Sequence, residues 1–266
     1  MDDKLSRTLT KVPEITAFFW ITKLLTTAMG EATSDFMNSA LGPAIAVPLM
    51  LIGLWLALRA QLRAPSYNAW NYWLVVVMVA IFGTSAADAL HVGLAIPYAV
   101  SSAFYLVVLA VVFTLWYRSE GTLSIHSIRT ARREKFYWWT VLATFALGTA
   151  AGDFTATSLN IGYLPSAILF ASLIALPAVG YRWFGMSSIA TFWFAYVVTR
   201  PLGASVADWL DASHSLSGLA LGQGPVALGL AVAMIGFIAY LAISRVDVQT
   251  AVAGHAPEPE ISPAAP

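Results

Sequence analysis

Four times along this chain a glycine is followed four residues later by a small residue and then at once by an aspartate: Gly30/Ser34/Asp35, Gly83/Ala87/Asp88, Gly148/Gly152/Asp153 and Gly203/Ala207/Asp208. Ten residues before each glycine stands a tryptophan preceded by another aromatic, as Phe19-Trp20, Tyr72-Trp73, Tyr137-Trp138 and Phe192-Trp193. A repeat of this kind constrains the fold more than any single residue, because each unit must bury its apolar face against copies of itself. The glycines are 53, 65 and 55 residues apart, room for two membrane-length helices and their turns.

With 59% hydrophobic and 11% charged residues and a mean hydropathy of +0.73, the chain is too apolar for an ordinary soluble domain and reads as an integral membrane protein. The expected fold is all-α, a polytopic bundle of eight transmembrane helices arranged as four parallel helical hairpins. The spans are read at about 13–36, 43–62, 68–89, 97–117, 136–157, 165–182, 188–210 and 225–243. They form an eight-helix membrane domain over 13–247 with repeats at about 13–64, 66–118, 135–184 and 187–245. Pro43, Pro97, Pro165 and Pro225 open the returning helices, where a missing backbone donor costs little.

Of the 14 Lys and Arg residues, all but Lys23 and Arg200 lie at the boundaries between units, and the turns within the units carry none. By the positive-inside rule the boundaries and both termini are cytoplasmic. Residues 1–12 then form a cytoplasmic segment, and 248–266, rich in Ala, Pro and Glu, a disordered cytoplasmic tail. The first apolar run is too long and too aromatic for a cleavable signal. A basic, polar insertion, Ser119 to Lys135, separates the second and third units. There is no cysteine, which excludes disulfides and thiolate metal sites.

The repeated residues have structural and functional readings. Small residues four apart let helix backbones approach closely in lipid, so Gly30, Gly83, Gly148, Gly152 and Gly203 are expected to draw the four outgoing helices together, with positions such as Val141 facing lipid. Trp20, Trp73, Trp138 and Trp193 read as interfacial anchors. The aspartates differ, since a carboxylate at that depth costs about 2.5–3.5 kcal/mol even on the lenient insertion scale and membrane helices pack well without one. Asp35, Asp88, Asp153 and Asp208 either pin helices by hydrogen bonds or line an ion pathway and offer a possible metal site.

Glu31 adds an acid, while Lys23 and Arg200 are the intramembrane bases. Each base is eight residues from the nearest acid along its own helix, about 80° around and 12 Å along it, so pairing between helices is expected over pairing within one. Lys23 could instead snorkel to the cytoplasmic edge. Arg200 precedes Pro201, which frees a carbonyl there. His91, one turn after Asp88, extends the site or sits at the interface. No Walker A loop, HExxH, nucleophile elbow or nucleotide fingerprint occurs.

Lys11-Val12-Pro13-Glu14 leading into Phe19-Trp20, with Gly30-Glu31, Asp35, the run Phe145 to Asp153 and the run Thr199 to Ser205, resembles a bacterial inner-membrane family of four tandem two-helix repeats of unknown function, the DUF347 type. The resemblance covers residues 11 to 245 and implies eight helices in a bacterial inner membrane. It implies no substrate.

The expected function is a small secondary transporter or channel for a cation, divalent or proton-coupled, whose carboxylates line a central site; oxygen ligands favour hard cations. The alternative is a membrane scaffold or assembly factor in which the polar residues fix helix packing. The expected partners are the lipid bilayer and a small cation or proton, with no cofactor, no nucleic acid and no enzymatic activity.

Overall fold

The computed structural model describes residues 10–248; the expected N-terminal segment before Thr10 and the tail from Gln249 lie outside them. Eight α-helices of 20 to 25 residues follow one another: α1 Ala17–Leu41, α2 Pro43–Arg63, α3 Ala69–Asp88, α4 Tyr98–Glu120, α5 Ala131–Asp153, α6 Tyr163–Trp183, α7 Ser188–Asp211 and α8 Gln223–Ser244. No strand occurs among the described residues. α2, α3, α4, α6 and α8 are long and apolar enough to cross a membrane, and the protein is a multi-pass membrane protein. The other three are more polar: α1 carries Lys23, Glu31 and Asp35, α7 carries Arg200, Asp208 and Asp211, and α5 has a basic first turn and ends on Asp153.

Local chemistry sets the helix ends. The odd-numbered helices start with a polar side chain that accepts from the backbone N–H three residues on: Thr16 from Phe19, Asn68 from Asn71, Thr130 from Arg133 and Ser187 from Ala190. The even-numbered helices have no such cap. They follow tight turns: Gly42, Gly162 and Gly222 hold positive φ before α2, α6 and α8, while Pro97 precedes α4. α1 begins at Ala17 rather than near residue 13, since Lys11 to Thr16 runs outside any helix. α3 and α5 each pass directly into one π-helical turn, Ala89–Gly93 and Phe154–Ser158, immediately after the motif aspartates Asp88 and Asp153.

The odd-numbered helices form a closed ring, α1 on α3, α3 on α5, α5 on α7 and α7 on α1. The repeated glycines make the contacts. A Cβ on Gly30 would collide with Ala80, one on Gly83 would stand 2.8 Å from the Phe145 Cβ, one on Gly148 would meet Arg200 and Pro201, and one on Gly203 would meet Thr27. Each glycine thus abuts the next odd helix at the residue three before that helix's own motif glycine. The even helices brace the ring from outside. Each packs chiefly against the odd helix of the following unit, α2 on α3, α4 on α5, α6 on α7 and α8 back on α1. A sequence hairpin is therefore not a packing unit, and the apolar faces of α2, α4, α6 and α8 remain largely exposed on the rim, as lipid-facing helices require.

Two expectations are corrected. Val141 is fully buried rather than lipid-facing, because it lies one helical turn pair before Gly148 on the face turned to the ring. Trp73, Trp138 and Trp193 are buried and Trp20 half-buried, not set outward as interfacial anchors. They join Phe19, Tyr72, Tyr137, Phe192 and Tyr196 in an aromatic cluster between the helices.

Candidate functional site

Counting from each motif glycine places equivalent residues of the four odd helices in register. One residue after it stand Glu31, Thr84, Thr149 and Ala204, all buried. Three of these carry polar side chains, and all three meet at one guanidinium. Arg200, wholly buried and one turn earlier on α7, donates through Nη2 to the Glu31 carboxylate, to Thr84 Oγ1 and, at 2.6 Å, to Thr149 Oγ1. Thr84 in turn donates to Glu31 Oε2 at 3.0 Å. The fourth equivalent position holds Ala204, whose small side chain belongs to the helix that supplies the arginine. Pairing of Arg200 between helices, as expected from its spacing, is what occurs.

One turn further along, the four motif aspartates are half-buried. Glu31, Asp35 and Asp208 each bring a carboxylate oxygen within 4.8 Å of the other two. Asp35 is in electrostatic range of Glu31, Asp88, Asp153 and Asp211, and Asp153 of Glu31 and Asp88, so the carboxyls of all four units gather at one end of the ring. Among the described residues no motif aspartate is in an ion pair; the bridges are Lys11 with Glu134, Arg132 and Arg133 with Glu120, and Arg200 with Glu31. Tyr98 at the start of α4 and Tyr163 at the start of α6 border the cluster. His91 faces Tyr98, its ring stacked at a centroid separation of 3.5 Å and its Nδ1–H donating to Ile96 O at 2.8 Å.

In the other direction the axis is filled. Lys23, seven residues before its glycine, is buried with no hydrogen-bond partner for Nζ. The ammonium position lies 4.1 Å from the Phe145 ring centroid and 4.3 Å from that of Tyr196. Both expectations for it are corrected: it neither snorkels out nor pairs with an acid, because Phe145 on α5 and Tyr196 on α7 close around it while Arg200 occupies Glu31. Below it Phe19, Tyr72, Tyr137 and Phe192, equivalent residues of the four units, close the bundle, with the Tyr72 and Tyr137 hydroxyls hydrogen-bonded to each other. Thr84, Thr149, Tyr98 and Tyr163 are the site residues that sequence reasoning missed. The two threonines were legible in the column that follows the motif glycine, and the two tyrosines in another, since Tyr98 and Tyr163 each stand fifteen residues after the glycine of their unit, Gly83 and Gly148.

A family model described as a Repeat of Unknown Function (DUF347) matches four times, over residues 18–67, 71–122, 136–186 and 191–247. The chain belongs to this family. The four matches coincide with the four units that carry the glycine contacts and the convergent acids, so the DUF347 repeat is one odd helix with the even helix that follows it. No curated protein and no solved structure was found to match the chain.

Proposed function

We propose that this DUF347 protein is a small secondary transporter for a cation, in which the ring of Asp35, Asp88, Asp153 and Asp208 with Glu31 binds the ion or exchanges it for protons. In this reading all eight helices cross the bacterial inner membrane as four parallel hairpins about an axis along the membrane normal. Both termini are cytoplasmic, and the aspartate ring faces outward. The observation that carries it is the convergence of carboxyls from all four units on one axis, with a single guanidinium to balance them. Carboxylate and phenol oxygens suit a hard cation. The filled axis beneath them, Arg200 and Lys23 above an aromatic floor, suits a carrier that alternates its access better than an open channel.

The competing reading is a scaffold in which these groups only hold helices, and the hydrogen-bonded Arg200 cluster is what favours it. Uptake by proteoliposomes across a panel of monovalent and divalent cations separates the two. Asp153→Asn keeps the volume and the hydrogen bonding of the side chain and removes its charge, and should abolish uptake in a protein that still purifies folded. Normal uptake by that variant, or no uptake of any cation by the parent protein, would defeat the proposal.

A further inference from the structure

The basic insertion between the second and third units takes no part in the aspartate site, yet it meets a cavity. A cleft of about 620 Å³ opens between α1, α6, α7 and the Leu123–His126 connection, at the end of the bundle opposite the aspartates. Its walls are mainly apolar, with Trp20 and Leu24 from α1, Ile174 and Pro177 from α6, and Ile189 and Phe192 from α7. The connection is fixed beneath α7, where the Trp193 indole N–H donates to Leu123 O at 2.9 Å. Ser124 and His126 line this cleft and also a second, shallower hollow completed by Ser127, Arg129 and Arg133. An apolar slot of this volume falls in the roughly 300–1,000 Å³ range of small-molecule sites, and here it continues into a basic hollow at the helix boundary.

We propose that this pair of hollows is a site for an anionic phospholipid, with an acyl chain in the cleft and the phosphate at Arg129 and Arg133. Apolar slots beside basic clusters at helix ends are where anionic headgroups are held in membrane proteins. The charge is available: Arg133 is partly engaged, through Nε with Glu120 Oε2 at 2.9 Å and through Nη1 with Ser127 O at 3.0 Å, and Arg132 also reaches Glu120. One carboxylate therefore offsets two of the three arginines, and Arg129 is exposed. The cleft also contains Thr191, whose Oγ1 is buried without a hydrogen-bond partner and is placed to donate to an ester oxygen of the glycerol backbone. The pattern fits a diacyl lipid better than a small free anion, which has no use for the slot.

The test uses the full chain purified in detergent. Thermal midpoints are measured with added phosphatidylglycerol, phosphatidylcholine of the same acyl chains, or glycerol phosphate, and tryptophan emission is measured with phosphatidylglycerol brominated along one acyl chain. Phosphatidylglycerol should raise the midpoint above phosphatidylcholine, and glycerol phosphate should leave it unchanged. Arg129→Gln should reduce the preference for the anionic lipid about five-fold. Ala178→Trp, a substitution at an exposed position on the cleft wall, should remove the shift and the bromine quenching together. Trp20→Phe should remove most of the quenching without removing the midpoint shift, which keeps the test decisive if the Ala178 variant does not fold. Equal midpoints for the two lipids, an equal effect of glycerol phosphate, or quenching indifferent to Trp20 would each overturn the site.

Discussion

The Arg200 guanidinium on α7 and the Glu31 carboxylate on α1 form an ion pair across the inside of the helix ring, both buried. Thr84 and Thr149 complete the arginine's coordination from α3 and α5, so one residue ties all four odd helices. Breaking a buried pair by removing one partner costs about 3–5 kcal/mol, whereas replacing both partners with apolar residues of similar volume is often neutral. Arg200→Met and Glu31→Leu are each expected to lower the thermal midpoint of the purified protein. The double variant should recover most of the loss. A double variant as unstable as the sum of the two would show that the threonine bonds, rather than the ion pair, hold the ring.

The glycine contacts make a graded prediction. A Cβ on Gly148 would run into Arg200 and Pro201, while one on Gly152 would meet its nearest atoms, Ala204 Cβ and Pro201 O, at 3.7 Å, an ordinary contact. Gly148→Ala should therefore reduce the folded yield, and Gly152→Ala should be neutral or stabilising by about 0.4–1 kcal/mol through a less flexible unfolded chain. Trp139→Leu, on an exposed face of the same helix, serves as the control. The yields and melting curves of the three variants check this, and equal tolerance at Gly148 and Gly152 would argue against backbone contact as the reason for the repeat.

Much of this architecture was legible in the sequence, for physical reasons that differ by element. The four starts of the even helices lie within two residues of their prolines, because a proline, joined in α2, α6 and α8 by a positive-φ glycine, leaves the chain little choice there. The convergence of the aspartates followed from their register with glycines that must touch. The burial of the tryptophans did not follow, although ten residues correspond to about 80° around a helix, which puts Trp138 on the flank of the face that Gly148 turns to the ring. Composition placed these rings at the interface; their azimuth drew them inside. The packing of each even helix on the next unit, and the aromatic cage around Lys23, depend on contacts between segments far apart in sequence, and no local pattern encodes them.

A pH dependence is expected at the boundary end, outside the membrane-crossing helices. Asp247, just beyond α8, is buried and its carboxyl is pushed above the ordinary aspartate range by loss of solvent, an effect partly offset by the hydrogen bond it accepts from the Tyr67 hydroxyl. A carboxyl whose folded value is raised contributes stability that is complete below its unfolded value near 3.9 and is lost as the pH rises through the folded value. The midpoint should therefore fall as the pH is raised from about 4 towards neutrality, and Asp247→Asn should flatten that dependence. An unchanged slope in the Asn variant would assign the effect to other groups.

The proposed orientation is open to a direct check. Single cysteines at Ser39, in the last turn of α1, at Ser213, in the loop after α7, and at Ser127, in the basic connection, can be introduced without background because the chain has no cysteine. An impermeant thiol reagent added to intact cells should label the first two and spare the third. The reverse pattern would invert the topology and place the aspartate ring on the cytoplasmic side.

The last expectation concerns Lys23. Two cation–π contacts at 4.1 and 4.3 Å are worth about 2 kcal/mol each when desolvated, whereas moving an ammonium out of water costs several kcal/mol even after relaxation, and Nζ has no hydrogen-bond acceptor to offset it. On these magnitudes the side chain adds little to the fold, and in the transport reading proposed above its place between the Arg200 cluster and the aromatic floor gives it a functional part. Lys23→Met, nearly equal in volume and free of the amine, should raise the thermal midpoint while reducing proteoliposome uptake. Lys23→Arg should lower the midpoint instead, since its larger, always charged head does not fit between Phe145 and Tyr196. The three proteins are compared by melting curves and uptake under one set of conditions. A Lys23→Met protein that melts earlier than the parent would show that the aromatic cage more than repays the burial, and Lys23 would then be a structural residue.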